Sequence, residues 1–478
     1  MINKSELLSA HIGSIVLKLA IPNMLTMSMW IITFIIEGFY IGQLGVIPLG
    51  GLALGFPMLF LLLMLSAGTI GGAITGLVAQ KLGANNVQAA EEIALSGLIF
   101  TFGLGILFAI IFLVFGEVIY ISLGASKEVL EEVLKYSNVL FAGSFTIWVA
   151  NGMAGVVRAT GNMFIASLFL GIGSLVQIIL GAIFIFGIGP IQSMGIAGSS
   201  LSIVIGNGIA AFCLLFWLMH KSNALKLRIS IQFFNPNSII SIIKLGSLAS
   251  INAFCTWGSV VVITAYMTNF GVQTLAGYGV GARLEFLIIP IVFGFGAAST
   301  ALIGINIGAN KLKRALNIGW VATLYSALAA GLIGFGAYFY PSFWSNAFTS
   351  DQNAQEVCKT YLEIVGPFYI FFASGLCLYF ASQGAGRVLW PAIAAIIRLL
   401  IVIIGSIIVS RYTTGSVNHY FLLISIAFLV QALITSGAIY LGAWNRKTIP
   451  KEETIRSIIS VLNLSNNSTL DLCTNLFV

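Results

Sequence analysis

The second half of this 478-residue chain repeats the first half at an offset of 225 to 226 residues. The sequence Gly83-Ala84-Asn85 recurs as Gly308-Ala309-Asn310, and Tyr136 recurs as Tyr361. Further matched pairs are Lys18 with Lys244, Gly45 with Gly271, Leu49 with Leu275, Gly55 with Gly281, Gly68 with Gly294, Glu131 with Glu356, and Gly161 with Gly386. Solenoid repeats are much shorter, at about 20 to 50 residues. The long period therefore indicates a duplicated domain, with one copy in each half.

Each copy has the composition of a membrane domain. Hydrophobic residues make up 59% of the chain and charged residues only 8%, against about 25% charged residues in soluble domains. Apolar runs of about 20 residues, long enough to cross a bilayer as helices, recur throughout. The predicted spans are 14–36, 52–79, 93–121, 134–157, 164–187 and 195–219 in the first half, and 244–268, 275–303, 317–340, 361–383, 391–410 and 420–443 in the second. The predicted fold class is therefore an all-α integral membrane protein with twelve transmembrane helices.

The number of spans also predicts how the two halves are related. Because each half has an even number of spans, both enter the membrane in the same direction, as parallel six-helix repeats. We assign residues 1–225 to an N-terminal lobe, residues 226–445 to a C-terminal lobe and residues 446–478 to a cytoplasmic tail. Two such bundles facing each other enclose a cavity, which a rocking motion would open to alternate sides.

The net charge of +7 is explained by topology. If both termini are cytoplasmic, 17 of the 22 basic residues lie at inner positions, as the positive-inside rule requires. We therefore expect a multi-pass protein of a bacterial-type plasma (inner) membrane, and no nucleic-acid partner. Five basic residues near predicted span ends, Lys18, Arg158, Lys244, Arg387 and Arg398, are expected to extend to water.

The sequence lacks the usual signs of an enzyme. The five cysteines have no paired spacing and the three histidines lie in loops or at span ends, so neither a metal site nor a disulfide framework is expected. There is no glycine-rich phosphate-binding loop of an ATPase. A membrane-embedded transferase would need clustered acids or histidines, and the acids here are sparse. We expect a transporter without cofactors, driven by a gradient of H⁺ or Na⁺.

Ionisable residues inside spans are costly and by default mark function. Glu37 follows the apolar stretch from Trp30 to Ile36. A carboxyl group in such surroundings can carry a proton reversibly. It could alternatively bind Na⁺, attract a cationic substrate, or form a purely structural hydrogen bond. Arg283 and Glu285 lie inside the eighth span, and their spacing directs them to different helix faces, so each needs a partner or a wet cavity.

Other polar and small residues within spans are expected to support helix packing. The amides are Asn23, Asn138, Asn151, Gln177, Asn207, Asn252, Gln383 and Gln431. Most of them are expected to form interhelical hydrogen bonds, and a few to line the passage. Gly68, Gly71, Gly72 and Gly76 follow one another at three- and four-residue steps, which predicts a smooth ridge for close helix contact.

Several dispersed motifs resemble those of the multidrug and toxic compound extrusion (MATE) transporters. They are Glu37-Gly-Phe-Tyr-Ile-Gly42-Gln-Leu-Gly45 at the first span, Ala79-Gln80-Lys-Leu-Gly83-Ala84 after the second, Arg158-Ala-Thr-Gly161-Asn162 at the end of the fourth, and Ile185 to Pro190 followed by Met194 to Gly198 before the sixth. The resemblance covers about 440 residues of the chain. It implies a V-shaped pair of six-helix lobes that exports organic cations or other amphipathic compounds in exchange for H⁺ or Na⁺.

The resemblance also implies roles for particular residues. Glu37 takes the place of the family's first-span aspartate, the main coupling carboxylate, and Gln177 that of a fifth-span asparagine. Gly181 stands where the family often has a second aspartate, which favours H⁺ over Na⁺. We expect Glu37, Gln177, Asn151 and Asn207 to form the coupling group, and Tyr40, Trp257, Tyr278, Arg283 and Glu285 to line the substrate cavity.

Two matters stay open at this point. The alternative within transport is a flippase or exporter of lipid-linked or anionic metabolites, which the related superfamily would also accommodate. The repeat is broken where chemistry is expected, because Glu37 corresponds to Ile263 and Glu285 to Leu59. We therefore predict a symmetric scaffold, acting as a monomer on a small-molecule substrate, with asymmetric ion coupling in the N-terminal lobe.

Overall fold

The computed structural model describes residues 4–220, 225–412 and 416–445, and within them all regular structure is helical. Eleven helices are long and apolar enough to cross a membrane, and a bent pair brings the number of spans to twelve. The bent pair, Lys127–Ala142 and Ser144–Ala159, meets at 48° and corresponds to the predicted fourth span. The twelve-span prediction is confirmed. The predicted tail, 446–478, lies outside the described residues.

The N-terminal lobe begins with a short helix and contains one stretch of π-helix. Its elements are α1 (Lys4–Ser9), α2 (Ile12–Gly42), α3 (Val46–Leu63), a π-helix (Met64–Ile70), α4 (Gly71–Gly83), α5 (Val87–Ser122), α6 (Lys127–Ala142), α7 (Ser144–Ala159), α8 (Met163–Phe186) and α9 (Ile196–Met219). The segment from α3 to α4 is a single span.

The C-terminal lobe follows the same order of spans. Its helices are α10 (Pro236–Met267), α11 (Val272–Ala282), α12 (Glu285–Gly308), α13 (Leu312–Phe339), α14 (Pro341–Phe348), α15 (Gln352–Val365), α16 (Tyr369–Ala385), α17 (Leu389–Tyr412) and α18 (Val417–Tyr440). The eighth span runs through α11 and α12, and the tenth through α15 and α16.

The backbone confirms the duplication. Asn85 and Asn310, which match in the repeat, both adopt left-handed conformations, with φ of 60° and 57°. Such a conformation is uncommon outside glycine and is tolerated best by asparagine and aspartate. The matched glycines Gly161 and Gly386 also have positive φ, at 83° and 68°. The same residues thus end equivalent helices in both lobes.

The π-helix accounts for the one-residue change in the repeat offset. The offset is 226 up to Gly68 and 225 from Gly83 onward, so the N-terminal copy has one extra residue in this stretch. A π-turn accommodates one additional residue within a helix. Here the amide of Gly71 donates to the carbonyl of Ser66, five residues earlier. The C-terminal copy has regular α-helix at the corresponding positions of α12.

The two lobes meet at one end of the molecule, which we call the basic end because it carries the loops at 81–86, 158–162, 311–314 and 387. There α12 packs against α2 and α4, and α10 packs against the π-helix. At the opposite end α3 and α11 each pack into their own lobe, through Gly55 against Tyr136 and Gly281 against Tyr361. The lobes therefore form a V whose closed end is the basic end.

The short helix α1 lies across the lobe boundary at the basic end. Lys4 donates to the carbonyls of Leu82 and Gly83 at the end of α4, where the helix dipole favours a cation. From the other lobe, Asn306 donates to the carbonyl of Leu7, and the two atoms are 3.4 Å apart. The chain before the first span thus contacts both lobes.

Candidate functional site

Glu37 is buried inside the N-terminal lobe, with 6% of its surface exposed. It lies on α2, and two hydroxyl groups from other helices donate to its Oε1 atom. One is the hydroxyl of Ser199 on α9, and the other is the hydroxyl of Tyr136 on α6, at 3.4 Å. Three helices that are far apart in sequence therefore hold one carboxyl group inside the bundle.

A small cavity adjoins this carboxyl group. Its volume is about 10 Å³, close to the space that one water molecule requires. Besides Glu37 it is lined by Thr33, Ile36, Tyr40, Gln177, Ile178, Gly181, Ile185, Ser199 and Ser202. Glu37 is the one ionisable carboxyl group in this lining. The site therefore offers a single protonatable group, surrounded by hydroxyl, amide and apolar side chains.

The structure brings together some of the predicted coupling residues and separates others. Gln177 lines the Glu37 cavity, and Tyr40, expected at the substrate, lines it too. Asn151 is buried elsewhere and donates to the hydroxyl of Ser66 in the π-helix, at 3.0 Å. Asn207 donates to a carbonyl of its own helix, at 2.9 Å. Asn151 and Asn207 thus lie outside this cavity, because their helix faces turn to other neighbours.

The C-terminal lobe has its own carboxyl–tyrosine contact. The hydroxyl of Tyr361 donates to Oε1 of Glu285, at 3.1 Å. Tyr278 packs edge-on against Tyr361, with ring centroids 5.7 Å apart, and is 6% exposed. Tyr278 thus belongs to an aromatic cluster inside the lobe, and Glu285 contacts the same cluster through Tyr361.

Arg283 and Trp257 have different surroundings. Arg283 is exposed at the break between α11 and α12. It precedes Phe286 by three residues and so shares its helix face, and the ring of Phe286 lies 6.3 Å from that of Phe60 in the other lobe. The role of Arg283 in a substrate cavity stays a prediction. Trp257 is half-buried on α10.

Two arginines that were expected to reach water are buried instead, each 3% exposed. Arg158 donates through Nε to Oδ1 of Asn23 at 3.1 Å, and its guanidinium lies 5.6 Å from the ring centroid of Phe293. Arg398 donates to Oε1 of Gln431 at 2.8 Å and to the hydroxyl of Thr256 at 2.6 Å. The sequence did indicate this burial, because both arginines lie within apolar runs.

Arg158 faces a second cavity, which lies between the lobes. This cavity also measures about 10 Å³. It is lined by Ala67, Gly72, Thr75 and Arg158 of the N-terminal lobe and by Phe293, Ala297, Thr300 and Phe380 of the C-terminal lobe. A buried cation thus stands at the boundary between the two lobes.

The comparison with known families agrees with this architecture. The MatE family model matches the chain twice, over residues 22–183 and 249–408. The chain belongs to the MatE family. The two matches cover more than half of the sequence and correspond to the two lobes. Members of this family are multidrug efflux transporters, so the chain is a membrane transporter and not an enzyme.

Individual relatives are distant but align over most of their lengths. A probable multidrug resistance protein YoeA of Bacillus subtilis is 23% identical over 412 residues, which are 85% of this chain and 89% of the relative. An FAD transporter of Shewanella oneidensis is 24% identical over 391 residues, 79% of this chain and 85% of the relative. The crystal structure of a MATE protein in the straight conformation superposes with a TM-score of 0.83 at 23% identity, covering 92% of this chain and 98% of that one.

Proposed function

We propose that the protein is a secondary antiporter that exports organic cations or other amphipathic compounds in exchange for H⁺. The lobes 1–225 and 226–445 rock about their contact, and the substrate occupies the cleft between them. The protein lies in the plasma (inner) membrane as a monomer, with the basic end and both termini on the cytoplasmic side. The positive-inside distribution supports this orientation.

The surroundings of Glu37 are the observation that carries the proposal. The carboxyl group is buried, its neighbours are hydroxyl and amide groups, and its cavity has room for about one water molecule. A multidentate cation site needs several hard oxygen ligands, commonly including more than one carboxylate. Because Gly181 supplies no second carboxylate in this cavity, a proton is the coupling ion that fits the site better than Na⁺.

Export of anionic compounds is the second candidate, and Arg158 favours it. Its guanidinium lines the cavity between the lobes, and among the described residues no carboxylate forms an ion pair with it. The similar protein of Shewanella oneidensis carries the name FAD transporter. An anionic group of a substrate would supply the missing counter-charge.

Reconstituted liposomes with imposed gradients test both candidates. Efflux of a cationic dye and of an anionic fluorophore is measured with a proton gradient alone and with a Na⁺ gradient alone. We expect the proton gradient to drive efflux of the cationic dye, and Glu37→Gln to abolish the coupling. Preference for the anionic fluorophore would favour the second candidate instead.

A matched control separates coupling from folding. The change Glu117→Gln removes a carboxylate near the C-terminal end of α5. Glu117 does not line the Glu37 cavity, so we expect this variant to retain driven efflux. Substrate binding by Glu37→Gln is then compared with that of the native protein in detergent, because binding requires no gradient. Undiminished proton-driven efflux by Glu37→Gln would refute the coupling role.

A further inference from the structure

The seam between the lobes at the basic end is built from glycines and two glutamines. A methyl group added at Gly76 would collide with the backbone carbonyl of Gln383, and one at Gly308 would collide with that of Gln80. One at Gly304 would stand 2.7 Å from Cβ of Ala79. The backbones of α4, α12 and α16 therefore approach so closely that no side chain fits between them.

Gln383 crosses this seam and binds the π-helix. Its Nε2 atom donates to the carbonyl of Gly68 at 2.9 Å and to the hydroxyl oxygen of Tyr379 at 2.7 Å. Tyr379 in turn donates to the carbonyl of Ala249 on α10, at 3.2 Å. A chain of three hydrogen bonds thus joins the N-terminal lobe, through Gln383, to two helices of the C-terminal lobe.

The carbonyl of Gly68, which accepts the first of these bonds, lies in the segment where the repeat offset changes from 226 to 225. The π-helix contains the extra residue of the N-terminal copy, and π-turns are frequently found at functional sites. In the opposite direction, Nε2 of Gln80 donates to the carbonyl of Gly384, at 2.8 Å. Side-chain amides of both lobes therefore bind main-chain carbonyls of the other lobe.

The bonding of Gln383 is incomplete. Its Oε1 atom is buried and has no hydrogen-bond partner within the part of the chain that the structure describes. It is pressed against Gly72, where an added methyl group would collide with it. An unsatisfied buried acceptor weakens the closed arrangement. This cost partly offsets the hydrogen bond to Gly68, so that separation of the lobes at this point is less unfavourable.

We propose that Gln383 is a positioning residue of the gate at the basic end, which holds the lobes closed through the carbonyl of Gly68. The inference rests on the proposed alternating access, in which this contact breaks as the lobes separate on that side. The proposed role of Gln383 concerns the population of the closed state and not the choice of ion or substrate.

Hydrogen–deuterium exchange of the full chain, without substrate or gradient, tests the proposal. The peptides to follow are those of α4 and of residues 300–308, which face each other across the seam. Gln383→Met preserves the size of the side chain and removes its donor. Because interhelical hydrogen bonds in membranes contribute modestly, we expect exchange in both peptides to accelerate about threefold to tenfold.

Each kind of substitution has a matched control: one buried amide is compared with another, and one added methyl group with another. Asn252→Leu removes a buried amide whose hydrogen bond, from Thr256, stays within α10, and should leave the seam unchanged. Gly76→Ala inserts a methyl group against the backbone of Gln383 and should accelerate exchange as Gln383→Met does. Gly103→Ala, on α5 and outside the seam, meets nothing within 4 Å, so it should have no effect on exchange at the seam.

The outcomes distinguish the gate from a merely structural role. Faster exchange in both facing peptides supports the proposal. Acceleration confined to residues around Gln383 in α16 would mean that only this helix was loosened, and would overturn it. Unchanged exchange of both peptides in Gln383→Met would overturn it as well, whatever Gly76→Ala shows. Because the measurement needs neither efflux nor an ion, failure of the proposed coupling by Glu37 would not affect its result.

Discussion

A second carboxylate placed beside Glu37 would change the ion that the site accepts. Gly181 lines the same cavity, and a side chain added there would have its Cβ atom 3.5 Å from the hydroxyl of Ser202 and 3.9 Å from the ring of Tyr40. These are ordinary van der Waals distances, so the backbone need not move. The change Gly181→Asp therefore adds two oxygen ligands with little steric cost.

The electrostatic consequence follows from the shared cavity. Two ionised carboxylates about 4 Å apart repel each other by about 4 kcal/mol at an effective dielectric constant of about 20. The pair must then share a proton or bind a cation, as carboxylates that occupy one site do. If Na⁺ binding relieves a third of this repulsion, its affinity increases about tenfold. We expect Gly181→Asp to acquire a Na⁺ dependence that the native protein lacks.

Two measurements check this prediction. In liposomes at equal pH on both sides, an imposed Na⁺ gradient should drive dye efflux by Gly181→Asp and not by the uncharged Gly181→Asn. In detergent, Na⁺ should raise the melting temperature of Gly181→Asp relative to choline, because a ligand that binds the folded state stabilises it. Adding Glu37→Gln should remove both effects. If Gly181→Asp responds to Na⁺ in neither assay, the assignment of this cavity as the coupling site is refuted.

Three further changes probe other parts of the structure. Tyr361→Phe should lower the melting temperature, because it removes the hydrogen bond of 3.1 Å from the tyrosine hydroxyl to the carboxyl group of Glu285; an unchanged melting temperature would contradict this. Arg158→Lys should reduce efflux of the anionic fluorophore more than that of the cationic dye, and equal losses would indicate a structural role. Glu91→Gln removes the 3.4 Å ion pair with Arg228 in the connection between the lobes, and should accelerate tryptic cleavage there; an unchanged rate would mean that the pair does not hold the connection.

The number of spans and their duplication could be predicted from the sequence because the bilayer imposes both. Each crossing needs about 20 apolar residues, and the matched glycines and asparagines mark equivalent helix ends in the two copies. The bend of 48° between α6 and α7 could not be predicted from hydropathy, since the apolar run continues through it. It depends on packing, including a contact of Gly143 with Val204 on α9.

The site was only partly predictable for a related reason. Glu37 was conspicuous because an acid within an apolar run is costly unless it has a role. Its partners Tyr136 and Ser199 lie 99 and 162 residues away in the sequence, and no local pattern connects them. The expected exposure of Arg158 and Arg398 was wrong because distance from a span end does not determine the direction of a side chain.

The two lobes are more alike in their chemistry than the positions of their acids indicate. Tyr136 and Tyr361 are equivalent in the repeat, and each donates a hydrogen bond to a buried or half-buried carboxyl group of its own lobe. The acceptors differ, because Glu37 comes from α2 and Glu285 from α12. These two helices pack directly against each other across the lobe boundary. In each lobe, the matched tyrosine thus donates to an acid on one of the two helices that pack across the lobe boundary. A change of charge at either carboxyl group therefore acts on a helix whose packing determines how the lobes meet.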